Sequence, residues 1–140
     1  MEEVLDTDGV RGVLHRPDGE VIGALALTHG AGSNCNTVLL TTLAEAFAER
    51  GVLVLRYDLP YRVRRASGPP HPSKAAEDRD GVRAAVGVLR ELTDRPVVAG
   101  GHSYGGRQAS MVAAESPGLI DGLLLSSYPL HPPAKPDQLR

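Results

Sequence analysis

The chain has 140 residues, 41% of them hydrophobic, which is enough for one core and fits a single domain spanning 1–140. Fifteen basic against 17 acidic residues leave a formal net charge of -2, so the basic excess of a nucleic-acid or anionic-membrane surface is missing. No apolar run approaches the ~18–20 residues of a membrane span, the start Met1-Glu2-Glu3 is acidic where a secretory leader is basic, and the single Cys35 can form no internal disulfide; the expected location is the cytoplasm.

In chain order, Val10 to His15 is predicted as a short strand, set off by the turn residues Asp8-Gly9 and Pro17-Asp18-Gly19. Val21 to Thr28 is apolar without alternation, the pattern of a strand covered on both faces in a parallel sheet. Thr37 to Arg50 is predicted as a helix stopped by Gly51, with Val38, Leu39, Ala44, Phe47 and Ala48 as its core-facing stripe, and Val52 to Tyr57 as the next strand. A helix from about Lys74 to Thr93 follows, with Ser73 as its N-cap and Val82, Ala85, Val86, Leu89 and Leu92 at three- and four-residue steps. A strand at Val97, a helix after Ser103 and a strand at Gly122–Ser127 complete the alternation. The two proline-rich stretches, 68–72 and 131–136, read as loops. Alternation of this kind predicts an α/β fold, a doubly wound, mainly parallel sheet with right-handed crossovers, whose ligands sit beyond the carboxyl ends of the strands.

Gly101-His102-Ser103-Tyr104-Gly105 falls between the predicted strand and helix, and a G-x-S-x-G turn in that context exposes its serine hydroxyl above the sheet. The glycines are a steric requirement, because a Cβ two places either side of the serine would collide with the crossing backbone. Ser103 is therefore the candidate nucleophile. His29-Gly30-Ala31-Gly32 ends an earlier strand, and the N–H groups of Ala31 and Tyr104 are the candidate oxyanion-hole donors. Phosphate cradling is disfavoured, since Cys35 stands where a dinucleotide fingerprint has its third glycine and no Gly-Lys-Ser/Thr follows. The five histidines are scattered without zinc-type spacing, so neither a metal nor another cofactor is expected.

With both motifs in hand the chain resembles the α/β-hydrolase superfamily, in its dienelactone-hydrolase-like branch. It looks most like the small hydrolase-like domain related to testis-expressed and chromatin-complex subunits. The resemblance rests on Thr28–Gly32, Leu55–Arg62, Gly100–Arg107 and Ser127–Pro133, and covers nearly the whole chain. It implies the α/β-hydrolase fold and hydrolysis of ester, thioester or related acyl bonds of a small-molecule substrate through an acyl-serine. Members of the family carry the triad acid and then the histidine on further strands, whereas only 37 residues follow Ser103 here. The resemblance therefore implies a chain that is incomplete at its C-terminus.

A serine without a base stays protonated and is a poor nucleophile. His131 is the candidate base, and a proline-flanked surface histidine is its other reading. His102 is expected to face away from Ser103, His29 to order its own loop, and Asp58 to stabilise a turn. Asp121 and Asp137 are the acids that follow Ser103, and Asp137 reaches the site only if the tail folds back. The run Tyr61-Arg62-Val63-Arg64-Arg65 reads either as a solvated loop or as a recognition element for an anionic acyl group. Cys35 reads as a small buried or loop residue. The last strand is expected at a sheet edge with uncovered apolar surface, which leaves a second reading open: a non-catalytic module whose edge takes a homodimer or protein partner.

Overall fold

The computed structural model describes residues 1–7 and 9–139, so Asp8 of the predicted first turn and Arg140 lie outside the described residues. Six strands form one sheet: β1 (Glu2–Thr7), β2 (Val10–His15), β3 (Gly23–Thr28), β4 (Val52–Tyr57), β5 (Val97–His102) and β6 (Gly122–Ser126), in the spatial order β1-β2-β4-β3-β5-β6. β1 and β2 pair antiparallel, as do β2 and β4, while β4, β3, β5 and β6 run parallel to their neighbours. The helices are α1 (Val38–Glu49), α2 (Pro60–Arg64), α3 (Ala75–Leu92) and α4 (Tyr104–Glu115). Among the described residues no helix is long and apolar enough to cross a membrane.

The unbroken apolarity of β3 has the expected cause. Ala24 and Ala26 pack with Leu53, Leu55 and the α3 and α4 residues Val82, Ala85, Leu89, Ala109 and Val112 on one face. Leu25 and Leu27 pack with Val54, Leu40 and Ala44 of α1 on the other. Each alternate residue is therefore buried, and the period-2 signal vanishes. From β3 the chain winds one way to β4 and then the other way to β5 and β6. The carboxyl ends of β3 and β5 thus lie side by side where the strand order reverses, the place at which such sheets hold ligands.

Three expectations are corrected, and one strand is added. The buried stripe of α1 is Leu40 and Ala44 with Leu43 and Phe47, while Val38 is 83% exposed and Leu39 41%; the helix starts one residue later and Thr37 Oγ1 caps it by accepting from the Leu40 N–H. Ser73 does not cap α3. It sits in a 3-10 turn, Pro72–Lys74, that runs directly into the helix, and the His71 ring accepts its N–H. The segment 61–65 is helical and not a loop over most of its length: Pro60 at the first helical position starts α2, which buries Tyr61 and Arg62 and leaves Val63, Arg64 and Arg65 exposed. β1 was not foreseen, because Glu2, Glu3 and Asp6 lie on a strand nearly all of whose residues are exposed, so no hydrophobic alternation marks it.

Candidate active site

Ser103 sits between β5 and α4 with φ +50° and ψ -115°, a backbone region that L-residues with a Cβ rarely adopt. Strain of this kind persists only where the surroundings impose it. Here the Ser103 N–H donates to Ser126 O on β6 (2.7 Å), and the Ser103 carbonyl accepts the Arg107 N–H (3.0 Å), starting α4. The glycines around it are sterically forced. A Cβ at Gly101 would lie 2.7 Å from Thr28 O and 2.9 Å from Gly106 N, and one at Gly105 would fall on the His29 carbonyl oxygen and within 2.8 Å of Thr28 Cγ2. The elbow is thereby pressed against the end of β3.

The loop that leaves β3 is held by groups distant in sequence. Tyr61 Oη donates to Gly30 O (2.9 Å) and accepts from Gly32 N–H (3.0 Å). His29 Nε2 accepts from Leu59 N–H (3.0 Å), and Nδ1 donates to Gly30 O (2.9 Å). Both ring nitrogens are thus engaged in the neutral tautomer, and burial pushes the imidazole below its ordinary pKa. This agrees with the expected loop-ordering role of His29. Asp58 Oδ1 accepts from Cys35 N–H (2.8 Å) and Oδ2 takes the Arg11 guanidinium (3.0 Å), so this carboxylate fixes the far end of the same loop.

Arg62 does the same from below. Its guanidinium donates to Ser33 O, Arg65 O and Gly68 O, which leaves no free fork for an anionic acyl group; the recognition reading of this arginine is corrected to a structural one. Cys35 is buried, and burial, helped by the Asp58 charge, pushes its thiol up to about 12. It is inert as a nucleophile.

Ser103, His102, His29, Gly30 and Ala31 line one cavity of about 410 Å³, closed on a further side by the start of α1. Among the described residues neither the Ala31 nor the Tyr104 N–H meets a protein acceptor. His102 does not turn away as expected. It lines the same cavity as Ser103, with Nδ1 3.3 Å from Ser126 Oγ. His131 is exposed and engages Pro132 O through Nδ1 (2.9 Å), outside the lining of that cavity. Asp121 lies at the opposite end of the sheet, where it accepts from Val97 N–H and Arg90, and Asp137 is exposed in the tail. Among the described residues no three His, Cys, Asp or Glu side chains are grouped closely enough to hold a metal ion.

The sequence carried no mark for Tyr61 as the clamp of the Gly30 loop. Its partners lie 29 and 31 positions away, and only the fold brings them together.

Known structures with the same architecture are numerous. A dienelactone hydrolase from Anabaena variabilis superposes with a TM-score of 0.72 at 21% identity, covering 89% of this chain and 62% of that one. An alpha-beta serine hydrolase homologue from Coxiella burnetii gives 0.72 at 18% identity, over 93% of this chain and 64% of its own length. A thermostable carboxyl esterase from Bacillus coagulans gives 0.69 at 19% identity, over 89% and 43%. The chain thus spans less than two thirds of the length of these structures. Residues 22–140 match the model of the alpha/beta hydrolase domain family, and the chain belongs to that family.

Proposed function

We propose that the protein hydrolyses an ester, thioester or related acyl bond through an acyl-enzyme at Ser103. Ser103 Oγ forms the bond to the acyl carbon, its proton passes through a base to the leaving alkoxide or thiolate, and water then releases the acid and restores the serine. The Ala31 and Tyr104 N–H groups hold the oxyanion formed at each addition. The observation that carries this reading is Ser103 at φ +50° in a cavity it shares with Ala31 and the loop after β3, while among the described residues neither the Ala31 nor the Tyr104 N–H has a protein acceptor. His131 is the base foreseen from the sequence, and His102 is a second candidate because it lines the cavity.

A fluorophosphonate probe tests this. Covalent labelling of the wild type that disappears in Ser103→Ala is the expected result, and an unlabelled wild type overturns the reading. Loss of labelling in His131→Ala or in His102→Ala then identifies the base.

The second reading, a non-catalytic module that binds a protein partner, rests on β6. That strand ends the sheet, and its Leu123 and Leu125 are 42% and 41% exposed, whereas β1 at the other edge carries Glu2, Glu3 and Asp6. Concentration-dependent sedimentation of the wild type that Leu125→Lys abolishes, together with no fluorophosphonate labelling, is the outcome that favours it.

A further inference from the structure

Asp78 lies in the first turn of α3 with no exposed surface. A carboxylate so placed needs donors on its oxygens, and among the described residues no arginine or lysine side chain supplies one. Its two partners are both neutral. Oδ2 accepts from Tyr104 Oη (2.7 Å), and Oδ1 accepts from the Tyr61 N–H (3.1 Å). Burial, with the hydrogen bond to Asp78, pushes the Tyr104 phenol above its ordinary pKa, so it stays a donor at neutral pH.

Packing imposes this arrangement. One turn further along α3, Gly81 meets the Pro60 ring, where a Cβ would come within 2.7 Å of Cγ. α3 is thereby pressed against the start of α2, which brings the Tyr61 N–H within reach of the carboxylate. The rings of Tyr61 and Tyr104 meet edge to face, with their centroids 6.0 Å apart.

Both partners of Asp78 belong to the surroundings of Ser103. Tyr104 follows the serine in the chain and offers its own N–H. Tyr61 Oη holds Gly30 O and the Gly32 N–H, the groups on either side of Ala31. The elbow itself meets the end of β3 at His29 O, whereas Ala31 lies two residues further on, and Asp78 bears on that stretch through Tyr61. An oxyanion hole works only with both donors ~2.7–3.1 Å from the place the oxygen will take. Stability alone does not call for a buried carboxylate here, since apolar residues of like volume commonly hold a fold as well.

We infer that Asp78 is a positioning residue for the oxyanion hole, setting the Tyr104 and Ala31 N–H groups in register through Tyr104 Oη and Tyr61. The inference rests on the acyl-serine reading for what that register serves.

Two measurements test it, on Asp78→Ala, Asp78→Asn, Tyr104→Phe and, as control, Asp80→Asn, an exposed residue of the same helix paired with Arg83. The first is fluorophosphonate labelling well below each variant's Tm, resolved into its saturating rate and its half-saturating concentration. Asp78→Ala and Tyr104→Phe lower the saturating rate roughly tenfold to hundredfold, the scale of a small misplacement of reacting groups, and leave the half-saturating concentration within about twofold. Asp78→Asn restores most of the rate, because its amide oxygen still accepts from Tyr61 and its NH₂ donates to Tyr104 Oη. The control labels as wild type does. A Tyr104→Phe protein that labels at the wild-type rate, whatever its Tm, overturns the inference, and this variant decides the matter if Asp78→Ala does not fold. So does an Asp78→Asn protein as slow as Tyr104→Phe.

The second measurement is hydrogen exchange at the Gly32 N–H, which needs no reactivity and reports the Tyr61 clamp directly. Asp78→Ala and Tyr104→Phe speed it about tenfold, the scale of one lost hydrogen bond, and Asp78→Asn does not. Exchange unchanged in both overturns the link. An unlabelled wild type sinks the hydrolase reading, and Gly32 exchange then decides by itself whether Asp78 joins the elbow to the loop after β3.

Discussion

Gly105→Ala puts the packing of the elbow to a direct test. The added methyl group would fall on the His29 carbonyl oxygen and lie 2.8 Å from Thr28 Cγ2 and 3.1 Å from Thr28 C, against the ~3.5–4.0 Å at which carbon atoms are comfortable. Most of these neighbours are backbone atoms at the end of β3, so no rotamer change relieves the clash. The cost is set at the upper end of the overpacking range, about 3 kcal/mol, which lowers Tm by about 10 °C in a domain of this size. The reference substitution is Gly87→Ala in the interior of α3, where a Cβ meets nothing within 4 Å. There the gain in helix propensity raises stability by ~0.5–1 kcal/mol. Thermal and urea unfolding of the two variants therefore shift in opposite directions. The same methyl group also pushes on the loop that carries Ala31, so fluorophosphonate labelling of Gly105→Ala is slowed even well below its Tm. A Gly105→Ala protein with wild-type Tm and labelling rate refutes the steric account of the motif.

Tyr61→Phe removes the hydroxyl that bonds both Gly30 O and Gly32 N–H, and is expected to cost ~1–3 kcal/mol in urea unfolding and to slow labelling of Ser103; unchanged labelling would show that the loop needs no clamp. Cys35, with its thiol pushed up to about 12, resists a disulfide reagent at pH 8 in the native protein and reacts promptly in urea, and fast native reaction contradicts its burial. Its neutral form is favoured in the fold, so above the ordinary thiol value the unfolded state loses its proton first and stability declines as pH rises. The two buried imidazoles act at the other end of the scale. Burial lowers His29 and, with help from Arg56, His15, outweighing Asp58 and Glu2, which pull the other way. Below the ordinary value near ~6.5 the unfolded chain takes up protons that the native state refuses, so Tm falls as pH is lowered through 6.5 to 5; a flat profile, with the carboxylates still ionised, refutes it.

The sheet was legible because its cause is repeated along the chain. Each central strand is a short apolar run bounded by turn residues, and each long helix carries apolar residues at three- and four-residue steps, so composition alone separates β3, β4, β5, β6 and α3. What failed to show is equally physical. β1 is held by its backbone pairing to β2 and exposes nearly all of its side chains, so nothing in its residue types had to be apolar. On α1 the apolar residues outnumber the positions that face the sheet: Val38, Leu39 and Leu40 are adjacent, and only the helix phase, set by docking onto Leu25, Leu27 and Val54, decides that Leu40 is the buried one. α2 is a five-residue helix whose sequence, with its run of arginines, looks solvated. It forms because Tyr61 and Arg62 have partners across the loop after β3, and those partners are invisible locally.

The candidate site divides along the same line. The elbow could be read from five residues because its steric demand leaves a fixed trace in the sequence: a strand that turns into a helix at Ser103 while lying against the end of β3 has room for no Cβ at positions 101 and 105. The apparatus that positions the other half of the site is non-local. His29, Asp58, Tyr61 and Arg62 are residues that look reactive in the sequence, yet each spends its hydrogen bonds on the backbone between residues 30 and 35 or on the segment that faces it. Polar groups near the elbow that look reactive in the sequence but are satisfied within the protein are thus scaffold.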